Sequence, residues 1–322
     1  MGNLTTYLQH QFVEHCPRDW HCVAEQAMLT EELSDLLAFQ ARADVLLTCK
    51  DGKRRLWIEF EVSRADPVAN HAKFGTAHIF EPRGTADVFV SMVSSHVTRG
   101  RHNLAAASIY LLRSIGLPAF QTLLLPDKTP TEIKALNHRT VPQLLTDNSF
   151  SVVPELERAI AVSGPVTPDS QHRVFFASNV LEVMLSLRQW NVEVATTAGL
   201  SQWGKRTVTF FVFDPVSRCF APSKFCAFVP INRVTSGGHS LNKALPTMNI
   251  RTYAALDETE TRFDGAVARN HLCHRLSFRE QPIGMLSTDM KSAFEEWRLR
   301  HGDAIRIHPR GPVILQPEDW WV

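Results

Sequence analysis

The chain is poor in the features that mark specialised protein classes. Its 322 residues include 6 Cys, 15 Gly and 18 Pro, too few for a disulfide-stapled scaffold, a collagen-like repeat or a low-complexity chain. The cysteines, at 16, 22, 49, 219, 226 and 273, contain no Cys-x-x-Cys pair, a pattern that predicts reduced thiols in a cytoplasmic protein. Charge of one sign is missing too. Lys and Arg number 34 against 33 Asp and Glu, a net charge of +1, so nucleic acid or an anionic membrane is not coated by bulk electrostatics and any nucleic-acid contact has to be local. Long apolar runs are absent: the stretch from Leu104 to Phe120 is broken by Arg113 and Pro118, so no membrane association is expected, and no signal-peptide pattern is seen. There is no internal repeat. What remains is 44% hydrophobic and 21% charged residues, the composition of an ordered globular chain long enough for about two domains.

The first 128 residues read as an α/β unit. Apolar residues recur at helical spacing from Val23 to Phe39, predicting an amphipathic helix or two short ones. Strands are expected at 43–49 and 56–62, joined by Lys50-Asp51-Gly52-Lys53, in which Asp-Gly is a strong two-residue hairpin signal because both positions favour positive φ. Asp66-Pro67 reads as cap and first residue of a helix running to about Ile79. A strand at 86–93, a helix near 100–114 and a strand at 119–125 follow. Residues 129–172 read as a connecting segment with short helices near 131–136 and 154–162 and a linker at 163–170. From 173 to 322 the pattern is α+β: helices at 177–187, 264–276 and 291–301, and strands at 192–195, 207–213 and 225–230.

The hairpin carries the chemistry. With Lys50 opposite Lys53, every opposed pair of residue numbers has the same sum, which sets Asp44 opposite Glu59 and brings Glu61 to the same face, with Arg42 opposite and Trp57 beside. The other face takes Ala43, Val45, Leu47, Leu56, Ile58, Phe60 and Val62, all apolar. Like charges opposed across a ladder are destabilising, so the pair is easiest to understand around a hard cation such as Mg²⁺ or Mn²⁺, serving phosphoryl chemistry. The bland alternative is a solvated edge face neutralised by Arg42 and Arg64.

Asp44, a hairpin, then Glu59-Phe60-Glu61 in an apolar strand resembles the PD-(D/E)xK nuclease core, over roughly Glu25 to Leu125. The resemblance implies a restriction-endonuclease-like fold, a mixed sheet flanked by helices, and Mg²⁺-dependent hydrolysis of phosphodiester bonds in double-stranded DNA. Within it Asp44, Glu59 and Glu61 correspond to metal and catalytic positions, Glu25 to an acid supplied by an upstream helix, and Asn70 to a polar, DNA-facing residue of the following helix. Glu61 stands where the family usually has lysine. Either Glu-x-Glu serves, as in some restriction enzymes, or Lys73, three residues beyond Asn70 on nearly the same helix face, supplies the lysine, or the core only binds. Duplex cleavage needs two sites or two nicks, so a homodimer is expected. The same core also suits a repair or recombination nuclease that reads DNA structure, and a silent DNA-binding or ligand-sensing protein.

Elsewhere the signals are weaker. His15-Cys16, His21-Cys22 and His271-Leu272-Cys273-His274 lack the paired spacing of structural zinc. Arg269 and Arg275, with Arg262, Arg279, Arg298, Arg300, Arg306 and Arg310 and with Trp297 nearby, fit a C-terminal domain that recognises target DNA, against an ordinary charged surface as the alternative. Neither a serine-nucleophile elbow nor a phosphate-binding P-loop occurs.

Overall fold

The apolar alternation on either side of Asp51-Gly52 does fold into a hairpin, β2 (Arg42–Cys49) with β3 (Arg55–Glu61). The structure is a computed structural model that describes residues 2–63, 67–146, 150–163, 180–197, 206–225, 241–242, 245–246, 265–302 and 305–318. Val45 lies opposite Ile58 and Leu47 opposite Leu56, the register expected. The turn differs. Cys49 donates to the Arg54 carbonyl at 2.9 Å, closing a four-residue loop in which only Gly52 takes a positive φ, and the Asp51 carboxylate caps the Lys53 N–H at 3.0 Å. Adding one residue to each side of a two-residue turn leaves the pairing sum unchanged, which is why the register survives the wrong turn.

The chain divides into two compact units, Met1–Ser170 with Pro230–Ile250, and Gln171–Val229 with Arg251–Val322. The first holds a five-stranded mixed sheet in the order β1-β2-β3-β4-β5, where β1 is Trp20–Ala27, β4 Asp87–Ser94 and β5 Ala119–Leu124. β1, β2 and β3 are antiparallel, while β3, β4 and β5 are parallel and connected through α3 (Val68–Phe80) and α4 (Arg99–Ser114), as parallel neighbours require. Phe74 and Ala77 of α3 and Ile109 and Leu112 of α4 pack on Trp57, Phe89 and Ala119 of the sheet. On the opposite face α1 (Asn3–Glu14) sets Phe12 edge-on to Phe60, ring centres 4.8 Å apart. Both faces of β3 are therefore covered: all its residues after Arg55 are buried, so the acidic face is not the half-open surface the alternation suggested.

Several expectations are corrected. The helix expected over 23–39 is β1 followed by α2 (Glu31–Leu37); β2 offers a strand to pair with, and that pairing overrides helical spacing in a segment whose inward Trp20 and Cys22 also suit a strand. Helix α3 begins after Pro67, which is its cap residue; Asp66 lies outside the described residues. Residues 129–163 contain the short helices expected near 131–136 and 154–162, but belong to the first unit rather than forming a separate connecting segment. They form α5 (Pro130–His138), opened by a Thr129/Glu132 capping box, α6 (Val141–Thr146) and α7 (Val153–Ser163). Helices α5 and α6 pack on α1, and α7 lies along β3, β4 and β5. The buried pair Glu155 and Arg158 fixes α7 to the end of β5, Glu155 accepting from the Leu125 N–H at 2.9 Å and Arg158 donating to the Leu123 carbonyl at 3.2 Å. The proposed linker lies, from 164 onward, outside the described residues.

In the second unit the strands Phe278–Pro282, Val313–Pro317, β7 (Phe210–Asp214) and β8 (Cys219–Pro222) form one sheet in that order, and β6 (Arg206–Val208) pairs with Ile305–Ile307 in another. Helix α8 (Val180–Val194) absorbs the strand expected at 192–195; the strand expected at 225–230 lies, beyond Phe225, outside the described residues. Phe211, Phe220, Phe294 and Trp297 are fully buried together. Asn191 ties α8 into this core, donating to the Phe220 carbonyl and accepting from the Trp297 indole, both at 2.8 Å.

Candidate functional site

The β2–β3 ladder stops where the carboxylates begin. Beyond Val45 and Ile58 the Asp44 side chain, rather than a backbone carbonyl, accepts the Phe60 N–H at 2.7 Å. On the other flank of Asp44, β1 pairs Ala24 with Val45 and Gln26 with Ala43, and between them Glu25 takes a φ of +54°, a left-handed conformation unusual for a residue with a side chain. Gln9 of α1 joins the two acids, its Nε2 donating to Glu25 Oε1 at 2.5 Å and to Asp44 Oδ1 at 3.1 Å.

Glu59 and Glu61 point from β3 beneath α3 and are only 3% and 5% exposed. Asp44 and Glu59 are buried close enough that each acts on the other's titration. Burial pushes Asp44 up to about 6, helped by the charge of Glu25 and opposed by the Phe60 N–H and by Gln9. Glu59 is raised well above the usual carboxylate range, first by burial and then by the charges of Asp44 and Glu61, against the pull of Lys73. The Oε1 of Glu59 is buried with no hydrogen-bond partner, a cost of roughly 1–3 kcal/mol that folding tolerates most readily where a ligand removes it.

Asn70 of α3 donates to Glu61 Oε1 at 3.0 Å and accepts from Lys73 Nζ at 3.4 Å. Asp44, Glu59, Glu61, Glu25, Asn70 and Lys73 are thus brought to one place. Two of them arrive otherwise than expected: Glu25 comes from a strand, not a helix, and Asn70 is engaged at both ends of its amide inside the site rather than presented to DNA. Lys73 is half-buried, one turn beyond Asn70. Arg42 is exposed and bonded to Gln40 at 3.3 Å, so the expected neutralising partner is turned away; Arg64 lies outside the described residues. Trp57 belongs to the core, its indole donating to Asp87 at 2.8 Å.

The C-terminal candidates present a different picture. Arg269 is ion-paired with Glu280, donates to Asn270 at 2.7 Å and sits 5.9 Å from the centre of the Phe210 ring. Arg275 lies on the same helix, Ala266–Arg275, and Arg262 outside the described residues. Arg298 pairs with Glu295 at 2.8 Å, and Trp297 is fully buried rather than available to stack on bases.

Sequence reasoning missed Gln9. Its signal was the stripe Leu4, Tyr7, Leu8 and Phe12, all buried, at the spacing of one helix face; the helix was findable, the reach of Gln9 was not. It also missed a polar row on the α3 face of the sheet, where Glu59, Ser91 and Gln121 are strand neighbours. Ser108 donates to the Ala105 carbonyl at 2.8 Å, which leaves its oxygen to accept from His71 Nδ1–H, and His71 Nε2 lies 2.9 Å from the Ser91 hydroxyl.

Among the described residues no three His, Cys, Asp or Glu form a ready-made metal cage. The donor set nonetheless fits Mg²⁺, which commonly takes one or two carboxylates and completes its shell with water and substrate phosphate; the unpartnered Glu59 Oε1 beside Asp44 offers that pair. No protein-family model, no curated protein and no solved structure matches the chain.

Proposed function

We propose that the first unit is a divalent-metal phosphodiesterase acting on DNA, with Asp44 and Glu59 as the metal-holding pair. The observation that carries this reading is the uncompensated acid pair: two carboxyl groups are buried side by side, one oxygen is buried without a partner, and no cation of the chain is ion-paired to either among the described residues. Mg²⁺ held there would supply Lewis-acid polarisation of a phosphate and a lowered pKa for the attacking water.

The chain's own residues have separable tasks. Phe60 N–H and Gln9 hold the Asp44 carboxylate in a fixed orientation. Asn70 restrains Glu61, and through the same amide it steadies the Lys73 ammonium. Lys73 takes the role of the family's lysine, orienting the attacking water and meeting the negative charge that grows on the phosphate. Glu61 influences Glu59 through its charge and binds the ion or orients the water. In this reading the C-terminal unit selects the target, and double-stranded DNA is cut by a homodimer.

Plasmid cleavage with and without Mg²⁺, comparing the unaltered protein with Glu59→Gln, tests the proposal. Discrete fragments that need metal and vanish in the variant are expected. Intact plasmid under all conditions, Mn²⁺ included, would leave the same carboxylate pair as part of a silent DNA-binding or ligand-sensing protein.

A further inference from the structure

A cavity of about 650 Å³ opens between α1, β1 and α6. Its walls are apolar, with Val13, Ala24, Val141 and Leu145, and it is also lined by Gln9 and Glu25, the residues that connect to Asp44. The size falls in the range of small-molecule sites, and the pattern of apolar walls around a few convergent polar groups is the usual one. Val13 and Leu145 are about half exposed, so the cavity has an entrance.

The backbone at Glu25 is a second, independent observation. A left-handed residue with a side chain costs about 1 kcal/mol or more and persists where the surroundings enforce it, which is common at binding sites. Its conformation, in the middle of an otherwise paired strand, is associated with a carboxylate that faces Gln9 on the boundary between cavity and acid pair.

We infer that this cavity takes the base of an unpaired nucleotide of the DNA strand that the phosphodiesterase reading above makes the substrate; the inference rests on that reading. Apolar walls suit the faces of a heterocycle out of its stack. Glu25 and the nearby Glu14 disfavour a phosphate inside the cavity, so the base rather than the backbone enters it. A carboxylate only accepts hydrogen bonds, so Glu25 favours bases that carry an exocyclic amine, cytosine, adenine or guanine, and disfavours thymine, whose matching edge is a carbonyl.

Short single-stranded oligonucleotides of cytosine, thymine and abasic composition test this by fluorescence anisotropy on the full-length protein without metal. The cytosine strand is expected to bind about 10-fold more tightly than the abasic and thymine strands. Val141→Trp, which fills the cavity, abolishes that preference, whereas Val141→Ala keeps it; melting curves of both check the fold. Equal binding of cytosine and abasic strands, or a preference that survives Val141→Trp in a folded protein, overturns the inference. Metal-dependent cleavage without any base preference sinks the cavity assignment and spares the phosphodiesterase. A base preference without cleavage does the reverse.

Discussion

The two ends of β3 hold buried carboxylates under opposite regimes. At its start, Asp87 of the neighbouring strand is fully buried, and every demand is met within the fold: Arg55 pairs with it at 2.5 Å and the Trp57 indole donates at 2.8 Å. At its far end, Asp44 and Glu59 are buried side by side, Arg42 is turned away, and an oxygen of Glu59 has no partner. Burial is common to both. Compensation is not, and the missing compensation is what distinguishes a ligand-holding acid from a structural one.

The contrast is sharpest under mutation. Glu59→Gln is expected to reduce Mg²⁺-dependent cleavage at least ~10³-fold, about 4 kcal/mol of transition-state stabilisation, while its melting temperature without metal stays level or rises. Asp87→Ala is expected to do the opposite, costing roughly 3 kcal/mol of stability by stranding the Trp57 indole and breaking the pair with Arg55, with no direct effect on the chemistry. Urea unfolding of the two variants side by side decides this; a Glu59→Gln protein destabilised as much as Asp87→Ala would remove the distinction between the two ends.

Proton linkage separates the two ends again. Asp44 titrates near 6 in the folded protein against an ordinary 3.8, so the folded state holds a proton that the unfolded chain has released. Stability of the metal-free protein should therefore fall as pH rises from about 4 to about 6, by up to about 3 kcal/mol from this group, and Glu59 extends the loss to higher pH. Asp44→Asn should flatten the lower part of that slope. Saturating Mg²⁺ should also flatten it, because the cation competes with protons for these carboxylates, and calorimetry in buffers of different ionisation enthalpy should register proton release on metal binding.

Smaller effects test the surroundings. Lys73→Ala is expected to lower cleavage by 10- to 100-fold with little change in melting, and an unaltered rate would return Lys73 to a solubilising role. Trp57→Phe, which removes only the indole donor to Asp87, should cost about 1 kcal/mol in stability and leave cleavage alone.

Much of the first unit was readable because its signals are local. Alternation gives strands, a Gly with positive φ marks the turn, and a loop with an even number of residues preserves the pairing sum, so Asp44 and Glu59 could be set opposite each other before any tertiary contact was known. The helix Lys73 rides on was legible as well, and with it the shared face of Asn70 and Lys73. The misreading of β1 came from a segment whose spacing suits a helix until β2 offers it hydrogen bonds; an edge position in a sheet is not written in the segment itself.

The sequence by itself therefore determined the run of elements from β2 to β5, the register of the hairpin and the grouping of its acids, since each depends on residues close in the chain. Only the tertiary structure decided that the acidic face is buried under α3, that Gln9 of α1 reaches Glu25 and Asp44, that Arg42 turns to Gln40, and that Arg269 is held by Glu280. Those facts set which charges are compensated. Compensation depends on partners far apart in sequence and on the loss of water around them, and neither is encoded in local spacing.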